Sequence, residues 1–568
     1  MGKSSGWRLE RGSHGARLLA VAGAVAALGL GGDRAQAQGI ELLSQTDRGF
    51  SAEGRSNAPA LSENGTIAAF ASDALDLVPP RRQSHRSEVY VRVRGEDPAT
   101  DRVVLPPAGL VNGPSQAGGF APAISADGRY VAYSSNASNL VDGDTNGVED
   151  VFLVDRDEGT TIRIEGNQGQ PNGTARFPRL SADGRWLVYV SLASNLVDGD
   201  TNGLADIFLY DRETGENRVV SVASDGSQAN RDSRTPTISA DGGVVAFISG
   251  ATNLVDGVAS GIEQVYVHDV ASGQTQIASV SSSGTPSNGT SFLPDLSADG
   301  SVVAFKSEGF NLVPADTNGV PDVFVHSRET GETERVSVDS FGNQSNSLSG
   351  GPAISDDGRF VAFISFSSTF DPLDGNGASD VFVVDRQASP QDGRIKRVSI
   401  ALPNTGRPNG DVPDFPVAIS GNGRWIGFAS AAENLVVDDL NNEIDSFIAC
   451  NPFDLDQCEE IATPTPNPTV TPGPAACTGD CNLDGFVTIN ELIRMTNIAL
   501  GVSVCGEGSV AACPAGDANG DCAITVEELI RAVGNSLNGC TRFGDLPLDE
   551  IIAACCATGP ESSISFSP

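Results

Sequence analysis

Residues 122–133 read PAISADGRYVAY, in which Pro-x-hydrophobic-Ser-x-x-Gly leads into an apolar strand. Six further stretches follow this pattern: PALSENGTIAAF from residue 59, PRLSADGRWLVY from 178, PTISADGGVVAF from 236, PDLSADGSVVAF from 294, PAISDDGRFVAF from 352 and PVAISGNGRWIGF from 416. Successive turn glycines lie 56 to 65 residues apart. This regular spacing predicts seven similar structural units that must stack to bury their apolar faces.

Each repeat contains four short strand signals, the composition of a β-propeller blade. In the second repeat we expect strands ending at 124–125 and spanning 130–134, 151–154 and 161–165. A fourth-strand signal follows each of the first six copies, at 102–105, 161–164, 218–222, 275–280, 334–338 and 396–400. The seventh repeat stops after its third strand, at 444–449. Residues 40–44 fit the missing strand, so the sequence predicts a mainly β, seven-bladed β-propeller closed by an N-terminal strand.

The S-A-D-G-R-x-hydrophobic and D-V-F-x-x-D-R signatures resemble the WD40-like (PD40) propeller repeats of the periplasmic TolB family. The resemblance covers about 410 residues. It implies a propeller fold and says little about activity, because propellers serve enzymes, adhesins and scaffolds alike.

The chain has 568 residues and a formal net charge of −37, which disfavours binding to nucleic acid. A basic segment, an apolar run at 18–30 and Ala35-Gln36-Ala37 indicate a cleaved signal peptide. No later stretch is long and apolar enough to span a bilayer. We therefore expect a secreted, extracellular or cell-surface protein, with the periplasm as an alternative. All ten cysteines lie at or after Cys450, which suggests disulfides in an exported tail.

Composition divides the chain into five parts. We expect a signal peptide at 1–37, a propeller at 38–458, a Pro/Thr-rich linker at 459–476, a calcium-binding module at 477–540 and a tail at 541–568 that lacks a clear folding signal.

The module at 477–540 contains two tandem segments with the order of oxygen ligands found in EF-hand loops. The first loop offers Asp480, Asn482, Asp484, the Phe486 carbonyl, Thr488 and Glu491. The second offers Asp517, Asn519, Asp521, the Ala523 carbonyl, Thr525 and Glu528. Gly485 suits the sharp turn of the first loop, whereas Cys522 occupies that position in the second. Both loops run into E-L-I-R, so we expect each to bind Ca²⁺ and open a helix.

This module resembles a type I dockerin, a small α-helical pair of calcium loop–helix units. The resemblance implies a cohesin-like partner that would tether the chain to a larger assembly. Glu at position 12 and six cysteines between Cys477 and Cys540 depart from the dockerin pattern, which makes a disulfide-stapled EF-hand pair the alternative.

Long loops are expected on one face of the ring, after strands two and four, and any site of the ring is expected on that face. Acidic loops there begin at Asp142 and Asp198, with related residues in later repeats: Asp144, Asn146, Asp150, Asp200, Asn202, Asp206, Asp256, Gln264, Asp316, Asn318, Asp322, Asp374, Asn376 and Asp380. They match the opening of a calcium loop, but Leu153 and Leu209 replace the closing Glu. Turn chemistry is the alternative.

An asparagine recurs before the first strand, at Asn57, Asn172, Asn230, Asn288, Asn346 and Asn409. Asx-turns explain it, and a ring of ligand-binding amides is the alternative. His85, His268 and His326 neither repeat nor adjoin a nucleophile motif.

These features favour an exported calcium-binding scaffold or binding protein. Its propeller face would recognise an unidentified ligand, glycan or protein, and its dockerin-like tail would tether it. The alternative is a carbohydrate-active propeller enzyme, a glycoside hydrolase or lyase. A central pocket with unrepeated acids would favour the enzyme.

Overall fold

A computed structural model describes residues 39–455, apart from gaps at 47–48, 58, 79–85, 96–99, 104–111, 113, 115–121, 259–260, 390–392, 403–404, 406–407, 414–415, 438 and 440. Its strands form seven four-stranded antiparallel sheets, which we number as blades in chain order. Blade 1 has β2 (Ala60–Leu61), β3 (Ile67–Ser72), β4 (Glu88–Val93) and β5 (Thr100–Arg102); blade 2 has β6 (Ala123–Ile124), β7 (Tyr130–Ser135), β8 (Asp150–Asp155) and β9 (Thr160–Arg163); blade 3 has β10 (Ala175–Leu180), β11 (Trp186–Ser191), β12 (Asp206–Asp211) and β13 (Glu216–Val219); blade 4 has β14 (Ser233–Ile238), β15 (Val244–Ser249), β16 (Gln264–Asp269) and β17 (Thr275–Ile277); blade 5 has β18 (Ser291–Leu296), β19 (Val302–Ser307), β20 (Asp322–Ser327) and β21 (Thr333–Arg335); blade 6 has β22 (Ser349–Ile354), β23 (Phe360–Ser365), β24 (Asp380–Asp385) and β25 (Ile395–Arg397); and blade 7 has β26 (Ala418–Ile419), β27 (Trp425–Ser430), β28 (Asp445–Cys450) and β1 (Ile40–Leu42).

The predicted closure is confirmed. Strand β1 pairs antiparallel with β28, and Ile40, Glu41 and Leu42 lie opposite Ala449, Ile448 and Phe447. The first strand of the chain thus completes the last blade, which leaves no unpaired edge at the seam of the ring.

The repeated Ser-x-x-Gly turn is held by its own side chains. In blade 2, Ser125 Oγ donates to Asp127 Oδ1 at 2.6 Å, and the N–H of Tyr130 donates to Ser125 Oγ at 2.9 Å. Gly128 has a φ of 76°, which favours glycine. A Cβ at Gly128 would lie 2.4 Å from Cδ1 of Ile67 in the preceding blade, so the turn also packs between blades.

The core lies between neighbouring blades. Val89 of blade 1 packs in one cluster with Val131 and Phe152 of blade 2, and all three are fully buried. Within each blade, facing aromatic rings of the two middle strands add to this packing, as for Tyr133 and Phe152 with ring centroids 5.8 Å apart. Burial on both faces explains why the middle strands are continuous apolar runs.

The fourth strands exist as predicted, but each ends one to three residues earlier, and all except β17 and β1 also begin one or two residues earlier. The apolar runs mark the residues whose side chains are buried, and burial continues beyond the last residue of the fourth strand that pairs with its neighbour. Val220 follows β13, is 1% exposed, and still donates its N–H to the Ile207 carbonyl. Among the described residues, no helix is long and apolar enough to cross a membrane.

Candidate functional site

A cavity of about 260 Å³ lies in the central channel, lined by the first strands of all seven blades and by the turns that follow them. The sequence predicts any site of the ring on the face with the long loops, after strands two and four. The cavity instead draws on β2, β6, β10, β14, β18, β22 and β26.

A closed circle of backbone hydrogen bonds surrounds this cavity at the turns. The N–H of Glu63 donates to the Ala126 carbonyl at 3.0 Å, and the pattern repeats from blade to blade. The donors are, in order, Glu63, Ala126, Ala182, Ala240, Ala298, Asp356 and Asn422. Asp356 donates to the Gly421 carbonyl, and the N–H of the adjacent Asn422 returns to the carbonyl of Glu63. The circle fixes the seven turns relative to one another.

The residue after each repeat proline lines the cavity and differs between blades. It is alanine in blades 1, 2 and 6, as at Ala60, but Arg179 in blade 3, Thr237 in blade 4 and Asp295 in blade 5. The polar trio Arg179, Thr237 and Asp295 thus comes from three consecutive blades. The seven aligned repeats carry this signal, although the sequence predictions do not include it.

A β-bulge precedes each member of the polar trio. In β10, Phe177 and Pro178 together oppose Tyr189 of β11, because the pairing steps from Arg176–Val190 to Arg179–Val188. Proline fits such a position because a bulge needs no ladder N–H there. The residues at the bulges have positive φ values: Phe177 55°, Thr235 50° and Leu293 49°. Blade 6 has the same bulge, with Gly351 at a φ of 60°, so the bulge belongs to the repeat. In blades 3 to 5 a residue other than glycine holds this conformation, at a cost of about 1–3 kcal/mol each.

Electrostatics distinguish the two charged members of the trio. Asp295 accepts hydrogen bonds from the Ile354 N–H at 2.9 Å and from Thr237 Oγ1 at 3.3 Å. Burial nevertheless raises the pKa of Asp295 to about 6. Burial also lowers the pKa of Arg179, whose Nη1 donates to the Pro178 carbonyl at 3.3 Å. Among the described residues, no carboxylate lies within 4 Å of its guanidinium, and Asp295 acts on it at longer range.

Two further carboxylates, Glu63 and Asp356, lie in the turns that line the cavity. Burial and, to a smaller extent, repulsion by Glu63 raise the pKa of Asp356. Among the described residues, the cavity therefore holds one arginine and three acids, of which Asp295 lies on a strand and the other two on turns.

In blade 2, the carboxylates of the acidic loop outside the channel are bound by other side chains of the protein. Arg163 Nη1 lies 2.9 Å from Asp144 Oδ1, and both side chains are 4% exposed. Asn146 Nδ2 donates to both carboxylate oxygens of Asp150, at 3.0 and 2.8 Å. These contacts favour the turn interpretation over calcium in this loop. Blade 3 lacks the arginine, since Val219 occupies its place.

The recurrent asparagines serve the turns. Asn172 accepts from the Ser194 N–H at 2.9 Å and donates to Ser194 Oγ at 3.0 Å, while its own N–H donates to Asn195. Equivalent bonds form at Asn230, Asn288, Asn346 and Asn409. Asn112, which is not among the predicted asparagines, makes them in blade 2. Asn57 does not belong to the set, since its N–H donates to the Ala71 carbonyl.

The two described histidines are buried between strands. His268 Nδ1 lies 2.9 Å from Thr275 Oγ1, and His326 Nδ1 lies 2.9 Å from Thr333 Oγ1. Burial lowers the pKa of both imidazoles, which suits neutral core residues. His85 lies outside the described residues.

The signal peptide at 1–37 and all twelve residues of the two calcium loops at 480–491 and 517–528 also lie outside the described residues. The calcium, dockerin and disulfide predictions therefore stay predictions. Cys450, the first of the ten cysteines, is 1% exposed.

No protein-family model matches the chain, and no curated protein sequence matches it. Solved structures resemble it at low identity. TolB from Acinetobacter baumannii is 15% identical with a TM-score of 0.32, and the match covers 54% of this chain and 60% of that one. An oligogalacturonate lyase from Vibrio parahaemolyticus is 14% identical with a TM-score of 0.43, covering 73% and 97%. The β-propeller domain of the Trilobed protease from Pyrococcus furiosus is 11% identical with a TM-score of 0.42, covering 66% and 91%. At these values the likenesses concern the propeller fold and leave activity open.

Proposed function

We propose that this chain is an exported binding protein whose channel recognises a small ligand carrying a carboxylate. One observation carries the proposal. Arg179 lines the cavity, and no described carboxylate lies within ion-pairing distance of its guanidinium. A half-buried arginine without a close counter-ion among the described residues is a ready partner for a carboxylate, which its planar donors bind in a bidentate manner.

The other members of the trio suggest what accompanies the carboxylate. The hydroxyl of Thr237, which donates to Asp295, and the carboxyl of Asp295 offer oxygen acceptors in the same cavity. Sugar hydroxyl groups suit such partners. An acidic sugar, with one carboxylate and several hydroxyls, therefore fits the chemistry of the trio better than a neutral sugar or a hydrocarbon.

The tail has a separate role in this proposal. The two loops at 480–491 and 517–528 bind Ca²⁺, and the module at 477–540 tethers the propeller to a cohesin-like partner. The support is the order of oxygen ligands in the two loops. Calcium titration of the full chain should find two fewer ions bound when Glu491→Gln and Glu528→Gln are combined. Equal numbers of bound ions would contradict the calcium assignment.

Calorimetric titration of the full chain with glucuronate and galacturonate tests the channel. Glucose and galactose are the neutral counterparts. We expect the uronates alone to bind, and Arg179→Gln to weaken that binding at least tenfold. Arg55→Gln, on an exposed arginine paired with Glu443, should leave it unchanged. Equal binding of neutral and acidic sugars, or no effect of Arg179→Gln, would refute the channel assignment.

A second candidate is hydrolysis of a glycosidic bond. The raised pKa of Asp295, about 6, suits a general acid, and Asp356 lies in the same cavity. Release of reducing ends from uronate oligosaccharides by the natural chain, abolished by Asp295→Asn, would establish the enzyme. Uronate binding without such release would establish the binding protein.

A further inference from the structure

Three blades share a buried arrangement of loop carboxylates and one arginine from the fourth strand. Arg163 Nη1 lies 2.9 Å from Asp144 in blade 2, Arg335 Nη1 lies 3.1 Å from Asp316 in blade 5, and Arg397 Nε lies 3.0 Å from Asp371 in blade 6. Each arginine also lies within 4 Å of the aspartate that opens the third strand: Asp150, Asp322 and Asp380. The guanidinium offsets the charge of acids that the loop buries.

In blade 4, uncharged residues replace both the arginine and the two acids of this arrangement. Ile277 pairs with Tyr266 at the place of the arginine, Gln264 opens the third strand, and Val258 stands in the loop. Acids and arginine are thus present together in blades 2, 5 and 6 and absent together in blade 4. In these four blades, buried loop acids therefore occur only together with the arginine that neutralises them.

Blade 7 departs from this rule. Asp439 is 4% exposed and Asp445 is not exposed, but Leu42 stands opposite Phe447 at the place of the arginine. Asp445 Oδ1 accepts from Ser44 Oγ at 2.5 Å. Its Oδ2 and Asp439 Oδ1 are buried and make no well-formed hydrogen bond among the described residues, although Asn441 lies close enough to both carboxyl groups to lower their pKa.

The charges around the pair do not replace the missing arginine. The two carboxyl groups act directly on each other, and burial raises the pKa of both. Glu433 adds negative charge near Asp439, and no arginine or lysine in the described part of the chain is among the groups that act on either carboxyl. Arg55, which belongs to the same seam, is 67% exposed and pairs with Glu443. Blade 3 also has an apolar residue, Val219, at the place of the arginine, and Asp200 Oδ1 is buried without a hydrogen-bond partner among the described residues. Its acidic loop is less buried than that of blade 7.

We propose that Asp439 and Asp445 bind a Ca²⁺ ion at the seam where the N-terminal strand closes the ring. The ion takes the place that the arginine guanidinium holds in blades 2, 5 and 6. Two carboxylates supply the charged oxygens that a hard divalent cation prefers. Among the described residues, no group of three or more His, Cys, Asp or Glu is placed to hold a metal, so backbone carbonyls and water would complete the coordination. Ser44, which follows the closing strand β1, donates to Asp445, so binding of the ion would also stabilise closure of the ring.

The test uses the full chain carrying Glu491→Gln and Glu528→Gln, which reduces binding by the tail. Calorimetry and thermal unfolding are measured with Ca²⁺ and with a chelator, and Mg²⁺ is the comparison ion. We expect Asp439→Asn to remove one bound Ca²⁺ and the calcium-dependent rise in Tm of the propeller. The matched control Asp322→Asn lies in blade 5, where Arg335 is present, and should keep both.

A second variant supplies the missing charge. Leu42→Arg places a guanidinium where blades 2, 5 and 6 have one, so we expect it to abolish the response to Ca²⁺, whereas the lost packing of Leu42 lowers Tm equally with Ca²⁺ and with the chelator. The same number of bound ions and the same rise in Tm in the parent chain, Asp439→Asn and Leu42→Arg would overturn the proposal. The carboxyl pair would then share a proton instead of a metal ion.

Discussion

Gly184 of blade 3 lies against the ring of Tyr130 in blade 2, so closely that a Cβ on the glycine would be 2.3 Å from Cδ2 of the tyrosine. Gly184 also has a φ of 65°. Gly184→Ala therefore meets both backbone strain and a clash, and we expect it to lower the free energy of unfolding by about 2–4 kcal/mol. Urea unfolding measures the change.

Gly215 provides the matched control. Its φ of 77° is similar, but a Cβ there would meet nothing within 4 Å. Gly215→Ala should lower the free energy of unfolding by only about 1 kcal/mol. Equal losses in the two variants would mean that contact with Tyr130 is unimportant.

The buried pair Arg163–Asp144 gives a second prediction. Arg163→Leu leaves Asp144 and Asp150 without their cation, so we expect a loss of about 3–5 kcal/mol at neutral pH. Arg129→Leu, which breaks the more exposed pair with Asp155, should cost about 1 kcal/mol or less. A smaller loss for Arg163→Leu than for Arg129→Leu in urea unfolding would contradict this ranking.

Asp295 gives a prediction about pH. Its folded pKa of about 6 exceeds the unfolded value of about 3.9, so the folded state binds the proton more tightly. The stability of the natural chain relative to Asp295→Asn should therefore be greatest below about pH 4 and fall as the pH rises to about 6. Parallel urea unfolding of both proteins across this range measures the difference.

Asp225→Asn is the control of opposite sign. A hydrogen bond from Ser227 lowers the pKa of Asp225, so the natural chain should lose stability relative to this variant as the pH falls below about 4. A flat difference for Asp295→Asn between pH 4 and 6 would mean that its carboxyl titrates normally.

Closure by the N-terminal strand gives a fourth prediction. Leu42 is 5% exposed and packs in the cluster between blades 6 and 7, so Leu42→Ala should lower the free energy of unfolding by about 2–5 kcal/mol. Val437→Ala, on a side chain 74% exposed, should change it by less than about 0.5 kcal/mol. Similar effects in the two variants would mean that the seam contributes little to stability.

The repeat arithmetic was enough to predict the seven blades and the closing strand, because turn glycines and apolar runs are local signals. The end of β13 at Val219 was harder to predict, since Val220 remains buried after the ladder ends. The positive φ at Phe177 was beyond prediction, because nothing in that residue type signals a bulge. It follows from the pairing of β10 with β11, which only the folded sheet defines.

The candidate site was predictable in part. Arg179 and Asp295 stand at the same position of their repeats, and this alone suggests that they share a surface. Their location in the channel depends on which strand is innermost. Similarly, Arg163 lies 19 residues after Asp144 in the sequence, and only the pairing of β8 with β9 brings it under the acidic loop.

The circle of backbone bonds from Glu63 to Asn422 has a consequence for any anion that enters the channel. Each of the seven backbone N–H groups of the circle already donates to a carbonyl of the next blade, so none of the seven can donate to a bound anion. Their dipoles follow one another around a loop and largely cancel. The main chain at the turns therefore contributes little net dipole to the channel. The few side chains inside the circle must then discriminate between ligands.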